Sequence, residues 1–254
     1  AVNPGLYTRL QYWPFPWTSC MLRQAQVGSL GAVPEIRDDV PESAWPEFNA
    51  RGYARHNELL IGLRKFKMPV INEEPGYEMG GYISSDSSEN DPRSWNSQTP
   101  DTVAATFWTA FTAGAYAMWG HFDTYETGDP FPGIKRTITP KYLKILYDFA
   151  VSVPYAEMEP MNEAVSPCEV VIDGTAYRTN FCLAKSGEVY VIFSLNGGEL
   201  DVNLAYEGEY IVTLINPKSG ERAELGTVCG GKQRISISDK QSVVLICKKT
   251  NDAK

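Results

Sequence analysis

The chain has 254 residues, of which 43% are hydrophobic and 21% charged, and its formal net charge is −8. This composition is that of an ordinary globular protein with room for one large domain or two smaller ones. The negative charge and the lack of a basic cluster argue against nucleic acid and anionic membranes as partners, and no run of about 20 apolar residues is present to span a bilayer.

Aromatic side chains are frequent, with 14 Tyr, 10 Phe and 6 Trp in the chain. Most aromatic residues of a globular protein serve packing, and that is the first interpretation. The second is a sugar-binding cleft, because the flat apolar face of a sugar ring stacks on an aromatic ring. The composition alone leaves both interpretations open.

The 5 cysteines form no CxxC pair, which argues against a structural zinc site. Cys168–Cys182 and Cys229–Cys247 are candidate disulfides, and Cys20 makes the count odd, so at least one thiol is unpaired. Buried free thiols are an equally good interpretation, since Cys182 and Cys247 lie inside apolar strand patterns.

The first part of the chain, to about residue 158, alternates strand-like and helix-like segments. Short strands are predicted at 7–12 and 18–22, followed by a helix from about 47 to 67 with leucines at helical spacing. The apolar run at 69–72 predicts the next strand, which ends abruptly in acidic residues and a proline. In an α/β protein that pattern indicates a buried parallel strand with carboxylates at its C-terminal tip.

Two further helices are predicted from their start signals. Thr99 is the predicted N-cap of the first, with Pro100 at the first helical position, and the second starts at Thr139-Pro140. A strand is predicted between them at 115–119. This strand–helix–strand order predicts parallel strands joined by right-handed crossovers.

From about residue 165 the helical period gives way to short strands separated by glycine-containing turns. The predicted strands cover residues 169–172, 176–184, 189–195, 200–204, 210–215, 222–228, 233–237 and 242–247. The predicted hairpin turns are at 173–174, 186–187, 196–198, 219–220 and 230–231. Short strands at this spacing are typical of an antiparallel sandwich or barrel.

Four segments carry a family resemblance. KMPVINEEPGYE (67–78), DTVAATFWTAFTAGAYAMWGH (101–121) and TPKYLKILYDFAVSVPYAEMEPMNEAV (139–165) resemble the last strands of the apiosidase-like glycoside hydrolase barrels. GEVYVIFSLNGGELDVNLAYEGEYIVTLINPKSGER (187–222) resembles their C-terminal β domain, which is sometimes labelled a collagen-binding domain. The segments follow one another in the family's order, and the match as a whole covers most of the chain.

The resemblance implies an α/β fold with two domains. The family's barrel has eight strands, and about four can be placed here, as strands five to eight. Such a barrel usually needs at least about 200 residues. The prediction is therefore the C-terminal part of a (β/α)8 TIM barrel in residues 1–160, followed by an antiparallel β-sandwich in residues 161–254. The alternative is a further strand–helix unit hidden in residues 1–46.

By this resemblance, Glu74 matches the glutamate of the family's Asn-x-Glu-Pro motif and is the expected nucleophile, at the tip of strand seven. In retaining glycosidases the proton donor, here expected after strand four, lies about 5–5.5 Å from the nucleophile. Pro75 fixes the backbone after Glu74, and Glu73 is expected to point the other way because neighbours in a strand alternate. The alternative role for Glu74 is an ion pair with an arginine at the barrel rim.

Substrate-binding residues are expected around the nucleophile. Tyr77 is expected to donate a hydrogen bond to Glu74, and Glu78 to hold sugar hydroxyls or orient the nucleophile, with a solvated loop charge as the alternative for Glu78. Trp119 is expected to form the floor of the sugar subsite, and His121 either bonds a hydroxyl or serves the structure. The cleft residues expected on the first two strands are Tyr12, Trp13, Trp17, Gln24 and Gln26.

The first functional hypothesis is a retaining glycoside hydrolase acting on a polysaccharide or its side chains. Its acid/base residue is expected upstream of Ala1, so this piece alone is expected to be inactive until an upstream segment or a second polypeptide completes the barrel. The alternatives are a non-catalytic carbohydrate-binding or degenerate barrel protein, and an adhesion module built on the β domain. The resemblance favours a secreted or periplasmic location.

Other chemistries find little support in the sequence. It contains no GxSxG elbow, no GxxxxGK[ST] phosphate loop and no HExxH motif. Two histidines, His56 and His121, are too few for a histidine-rich metal centre, and neither a metal nor another cofactor is expected. His56 lies in the predicted helix and is expected to be a surface or packing residue.

Overall fold

The computed structural model describes residues 45–67, 69–72, 77–78, 99–121, 137–166, 169–172, 174–238 and 241–250. The chain divides into two compact units, residues 1–110 with 115–139 and residues 111–114 with 140–254. The strands predicted at 7–12 and 18–22 lie outside the described residues. The predicted domain boundary near residue 160 stays a prediction.

The first unit contains the helix predicted from residue 47, which runs as α1 over Trp45–Leu63. Tyr53, Ala54 and Leu60 are buried along it, which is the inward face of an amphipathic helix. A 3-10 turn over Arg64–Phe66 follows, and the chain then leaves the helix at Lys67, whose φ of 53° is left-handed. The predicted helix is confirmed, with both ends displaced by a few residues.

The helix predicted at Thr99-Pro100 is α2, Pro100–Thr112. The Thr102 N–H donates to Thr99 Oγ1 at 3.3 Å, so Thr99 is the N-cap that the sequence predicts. At the other end Gly114 adopts a φ of 66°, and its N–H donates to Phe111 O while the Ala115 N–H donates to Ala110 O. These two bonds form a Schellman motif, which needs a residue with positive φ and therefore favours glycine.

Parallel strand pairs lie on either side of α2 in the sequence. Strand β1, Ile71–Asn72, pairs in parallel with β3, Tyr116–Ala117. Strand β2, Tyr77–Glu78, pairs in parallel with β4, Gly120–His121. The prediction of parallel strands joined through a helix is confirmed by these pairings.

The second unit is dominated by β strands, which follow the helix α3, Thr139–Val151. Its strands are β5 (Glu159–Pro160), β6 (Glu169–Ile172), β7 (Thr175–Arg178), β8 (Asn180–Lys185), β9 (Val189–Ser194), β10 (Gly198–Ile215), β11 (Arg222–Ile237) and β12 (Val243–Lys249). Six of them form one antiparallel sheet in the order β11-β10-β12-β9-β8-β5, and β6 and β7 form a separate hairpin. The antiparallel character is confirmed, while a sandwich of two facing sheets stays a prediction.

Two predicted hairpin turns are wrong. The turn at 196–198 joins β9 to β10, but these strands are not neighbours, because β12 lies between them. The glycines at 230–231 lie inside β11, at a register shift between the pairs Leu204–Gly231 and Glu209–Cys229. They accommodate a β-bulge, with φ of 90° at Gly231, so the strand bends and continues instead of turning back.

The core of this unit uses alternate residues of its strands, which is the period of one sheet face. Tyr190 is fully buried among them and packs edge to face with Tyr210 at 6.0 Å between ring centroids. Its hydroxyl accepts hydrogen bonds from the backbone N–H groups of Gly187 and Ala205. The ring therefore packs apolar atoms while its polar end ties the turn after β8 to β10.

Both candidate disulfides are wrong, because Cys182, Cys229 and Cys247 are free thiols. Cys182 and Cys247 lie in the core, as the alternative interpretation stated, and burial raises the pKa of both thiols, that of Cys247 to about 12. Cys229 is exposed on β11. Among the described helices, none is both long enough and apolar enough to cross a membrane.

Candidate active site

The structure describes some of the predicted site residues and not others. Six lie outside the described residues: Tyr12, Trp13, Trp17, Gln24, Gln26 and Glu74. Tyr77 and His121 are described by their backbone, which forms rungs of the β2–β4 pair opposite Gly120 and Glu78. Glu78 and Trp119 are described in full, and the fold brings these two side chains into contact.

The Glu78 carboxylate is buried, with 1% of the residue exposed. Trp119 Nε1 donates a hydrogen bond to Glu78 Oε2 at 2.9 Å. Thr137 Oγ1 donates to the other oxygen, Oε1. The alternative interpretation of Glu78 as a solvated loop charge is therefore wrong. A buried carboxylate needs donors on its oxygens, and here each oxygen has one.

Secondary structure fixes all three members of this group, which we call the Glu78 cluster (Glu78, Trp119 and Thr137). Glu78 lies in β2, and Trp119 directly precedes the paired strand β4. Thr137 precedes α3, and its Oγ1 accepts a hydrogen bond from the Thr139 N–H at 3.3 Å. The cluster thus ties the tip of a parallel strand pair to the start of the next helix, leaving the Trp119 side chain half-buried.

Sequence reasoning missed Thr137. Its contact with Glu78 spans 59 positions of the chain, so no local pattern reveals it. The one available signal was its place two residues before the Thr139-Pro140 helix start, where a threonine hydroxyl commonly bonds to backbone N–H groups.

A second buried network holds the strand that leads to the predicted nucleophile. Asn72, the last residue of β1, is fully buried, and its Nδ2 lies 2.9 Å from His56 Nε2. On the other side of the ring, His56 Nδ1 lies 3.2 Å from Thr109 Oγ1. The Thr109 hydroxyl in turn donates to Thr106 O at 2.8 Å. The surface interpretation of His56 is wrong, because the residue is fully buried.

The donors of this network assign the histidine tautomer. The Asn72 amide nitrogen is a donor, so His56 Nε2 must accept and carry no proton. The Nδ1–H then donates to Thr109, whose own proton is used on Thr106 O. This neutral form agrees with the pKa of His56, which burial lowers to about 4.

The network and the strand ladder together anchor Asn72. Its carbonyl accepts a hydrogen bond from the Met118 N–H at 2.9 Å, and the Tyr116 N–H donates to Val70 O at the same distance. The chain is thus fixed at Asn72, two positions before Glu74, and again at Glu78, four positions after it. Within the described ranges, no group of three or more His, Cys, Asp or Glu side chains is arranged to hold a metal ion.

Comparison with known proteins adds information at the level of fold. Family models and curated proteins give no match. A solved structure described as a glycoside hydrolase matches 85% of this chain and 49% of its own, with a TM-score of 0.59 at 16% identity. A glycoside hydrolase family 5 structure from Bacteroides vulgatus ATCC 8482 matches 87% of this chain and 50% of its own, with a TM-score of 0.58 at 16% identity.

The chain has the fold of part of a glycoside hydrolase. At this identity the likeness shows the fold alone, a mixed α/β arrangement with a curled antiparallel sheet. The chain spans about half the length of the two glycoside hydrolases that it matches. The family resemblance predicted from the sequence is thus confirmed at the coarser level of structural similarity to glycoside hydrolases.

Proposed function

We propose that this chain supplies part of the active site of a retaining glycoside hydrolase of the (β/α)8 type, with Glu74 as its nucleophile. The observation that carries the proposal is the anchoring of the chain on both sides of residue 74, at Asn72 and at the Glu78 cluster. Such rigid support is what a catalytic carboxylate at the end of a parallel strand requires. The likeness to glycoside hydrolase structures supports the same conclusion.

The Glu78 cluster has a defined role in this proposal. Both oxygens of Glu78 already accept hydrogen bonds, so the carboxylate orients Trp119 instead of binding sugar directly. The half-buried indole is then held in one plane, and its face serves as the stacking platform for a sugar ring. Glu74 attacks the anomeric carbon of that sugar and forms a covalent glycosyl-enzyme, which water later hydrolyses.

The acid/base residue belongs to the part of the barrel that this sequence does not supply. We assign it to an upstream segment or a second polypeptide, in keeping with the length of the matched hydrolases. A missing general acid lowers the rate on ordinary glycosides by about 10²–10⁴-fold. A missing general acid lowers the rate much less for an aryl glycoside, because its leaving group departs without a proton.

This difference between substrates tests the proposal. The chain is incubated with a panel of 2,4-dinitrophenyl glycosides, which need no general acid, and with the matching methyl glycosides, which do. We expect release of dinitrophenolate from one sugar of the panel and no hydrolysis of its methyl glycoside. Glu74→Gln should abolish the release, because an amide is too weak a nucleophile.

Glu73→Gln is the matched control, since it makes the same chemical change one position away. It should retain the activity, because the family resemblance matches Glu74, and not Glu73, to the nucleophile. Equal loss in both variants would contradict the assignment of Glu74. If this chain alone turned over methyl glycosides at a normal rate, the assignment of the acid/base residue to an upstream segment or a second polypeptide would be wrong. Sugar binding that is unchanged by Glu74→Gln, with no turnover of any substrate, would favour a carbohydrate-binding protein.

A further inference from the structure

The second unit carries a groove of about 730 Å³, lined mostly by polar and charged residues, that the proposed active site does not use. One wall is the segment 162–166, and the other is formed by residues 201–203 of β10 and 232–234 of β11. The side chain of Arg178, from β7, also lines it. A cavity of this size is large enough for a small ligand or part of a polymer.

Backbone and side-chain hydrogen bonds hold the walls of the groove in place. The Ser166 N–H donates to Asp201 O at 2.8 Å, and the Asp201 N–H donates back to Ser166 Oγ at 3.1 Å. Asn162 Oδ1 accepts a hydrogen bond from the Cys182 N–H at 2.8 Å. The groove is therefore pre-formed, and a ligand would not have to order it.

The charges in the groove are unevenly paired. Arg234 forms a bidentate ion pair with Asp201, at 2.6 and 3.0 Å, which neutralises both and lowers the pKa of Asp201. Arg178 donates from Nη1 to the carbonyls of Asn162 and Asn180, at 3.0 and 3.4 Å, and no carboxylate of the described residues pairs with it. Lys232 likewise has no ion pair among the described residues.

The charged residues that line the groove are three cations and two carboxylates, the latter being Asp201 and Glu163. The groove is thus locally positive, although the whole chain has a net charge of −8. Such a local reversal of sign favours an anionic ligand.

The neutral lining distinguishes between classes of anionic ligand. Asn203 lies opposite Lys232 on the neighbouring strand, so its amide and the unpaired cation lie on the same face of the sheet. Amides donate to and accept from sugar hydroxyls. The apolar lining residues Val165 and Val202 are buried, at 3% and 1% exposure, so they offer no pocket for the side chains that anchor a bound peptide.

We propose that this groove binds an acidic saccharide, with the carboxylate of a uronate residue on Arg178 and Lys232 and a hydroxyl on Asn203. The choice of a saccharide rests on the proposed function, whereas the choice of an anion rests on the groove itself. The β unit would thereby bind an acidic polysaccharide without taking part in the chemistry.

The test is calorimetric titration of the whole chain with oligogalacturonate and with its methyl ester, which has the same sugars without the charges. We expect the acid to bind and the ester to bind about tenfold more weakly or not at all. Lys232→Gln should weaken binding of the acid by about the same factor. Lys248→Gln, an exposed lysine on β12 that does not line the groove, should leave binding unchanged.

Every outcome of this test is decisive. Absence of binding, equal binding of acid and ester, or equal effects of the two lysine substitutions would overturn the proposal. Tighter binding of poly-glutamate than of oligogalacturonate would assign the groove to an acidic peptide instead. Binding of oligogalacturonate is also measured with the Glu74→Gln variant, where it should persist. The groove proposal and the hydrolase proposal can therefore fail independently of each other.

Discussion

Two features of the candidate site depend on single side chains, Glu78 and His56. Glu78, predicted to hold sugar hydroxyls or to orient the nucleophile, is a buried acceptor for Trp119 and Thr137. His56, predicted as a surface or packing residue, is buried, and it is a neutral hydrogen-bonding centre between Asn72 and Thr109. Both depend on partners far away in the chain, and such contacts leave no local signal in one sequence.

Removing the Thr137 hydroxyl tests the Glu78 cluster. Thr137→Val keeps the shape of the side chain but leaves Glu78 Oε1 without its donor in a buried site. We expect a loss of about 1–3 kcal/mol in the free energy of unfolding. Urea denaturation measures it, with Thr137→Ser, which retains the hydroxyl, as the matched control. Equal stability of the two variants would contradict the hydrogen bond.

The free energy of unfolding should fall at acidic pH because of His56. Its folded pKa of about 4 lies below the ordinary value of 6.5, because burial disfavours the charged ring. The unfolded chain therefore binds the proton more tightly, and the stabilisation present above pH 6.5 is lost as the pH falls towards 4. The full loss is about 3 kcal/mol.

The measurement compares the wild type with His56→Gln, which cannot gain this charge. Free energies of unfolding are determined between pH 7 and pH 4, and the stability advantage of the wild type should shrink by about 3 kcal/mol across that range. All other titrating groups, including His121, are common to both proteins and cancel in the difference. Parallel pH profiles would contradict the buried neutral state of His56.

At the scale of elements, start signals in the sequence located the helices well. The Thr99-Pro100 and Thr139-Pro140 pairs begin α2 and α3 as predicted, because a cap hydroxyl and a proline act within the first turn itself. Strand ends were located less well. The four strands predicted over 200–237 are two, β10 and β11, since bulges between paired strands let each continue.

The cap of α2 makes a measurable prediction. Thr99→Ala removes the acceptor for the Thr102 N–H, and the side chain of Thr99 is exposed, so little packing is lost with it. We expect the free energy of unfolding to fall by about 0.5–2 kcal/mol. Thr99→Ser should be close to the wild type, because serine caps equally well. If thermal denaturation shows alanine and serine to be equivalent at this position, the cap is not formed.

For the molecule as a whole, the change of hydrophobic period near residue 165 predicted the order of the architecture: an α/β part and then an antiparallel part. Periodicity reports the local conformation and the buried face, and these suffice for fold class. It does not report which strands become neighbours, so the placement of β12 between β9 and β10 was not foreseen. The groove in the second unit was equally invisible, since it is assembled from segments around residues 164, 178, 202 and 233.

Covalent trapping is the most direct test of the central claim that Glu74 is the nucleophile. The chain is incubated with 2,4-dinitrophenyl 2-deoxy-2-fluoroglycosides, which slow the breakdown of a glycosyl-enzyme, and the adduct is located by peptide mass spectrometry. We predict that one sugar of the panel labels Glu74, and that Glu74→Gln prevents the labelling. An adduct on Glu73, Glu78 or any other residue, or no adduct across the panel, would contradict the account.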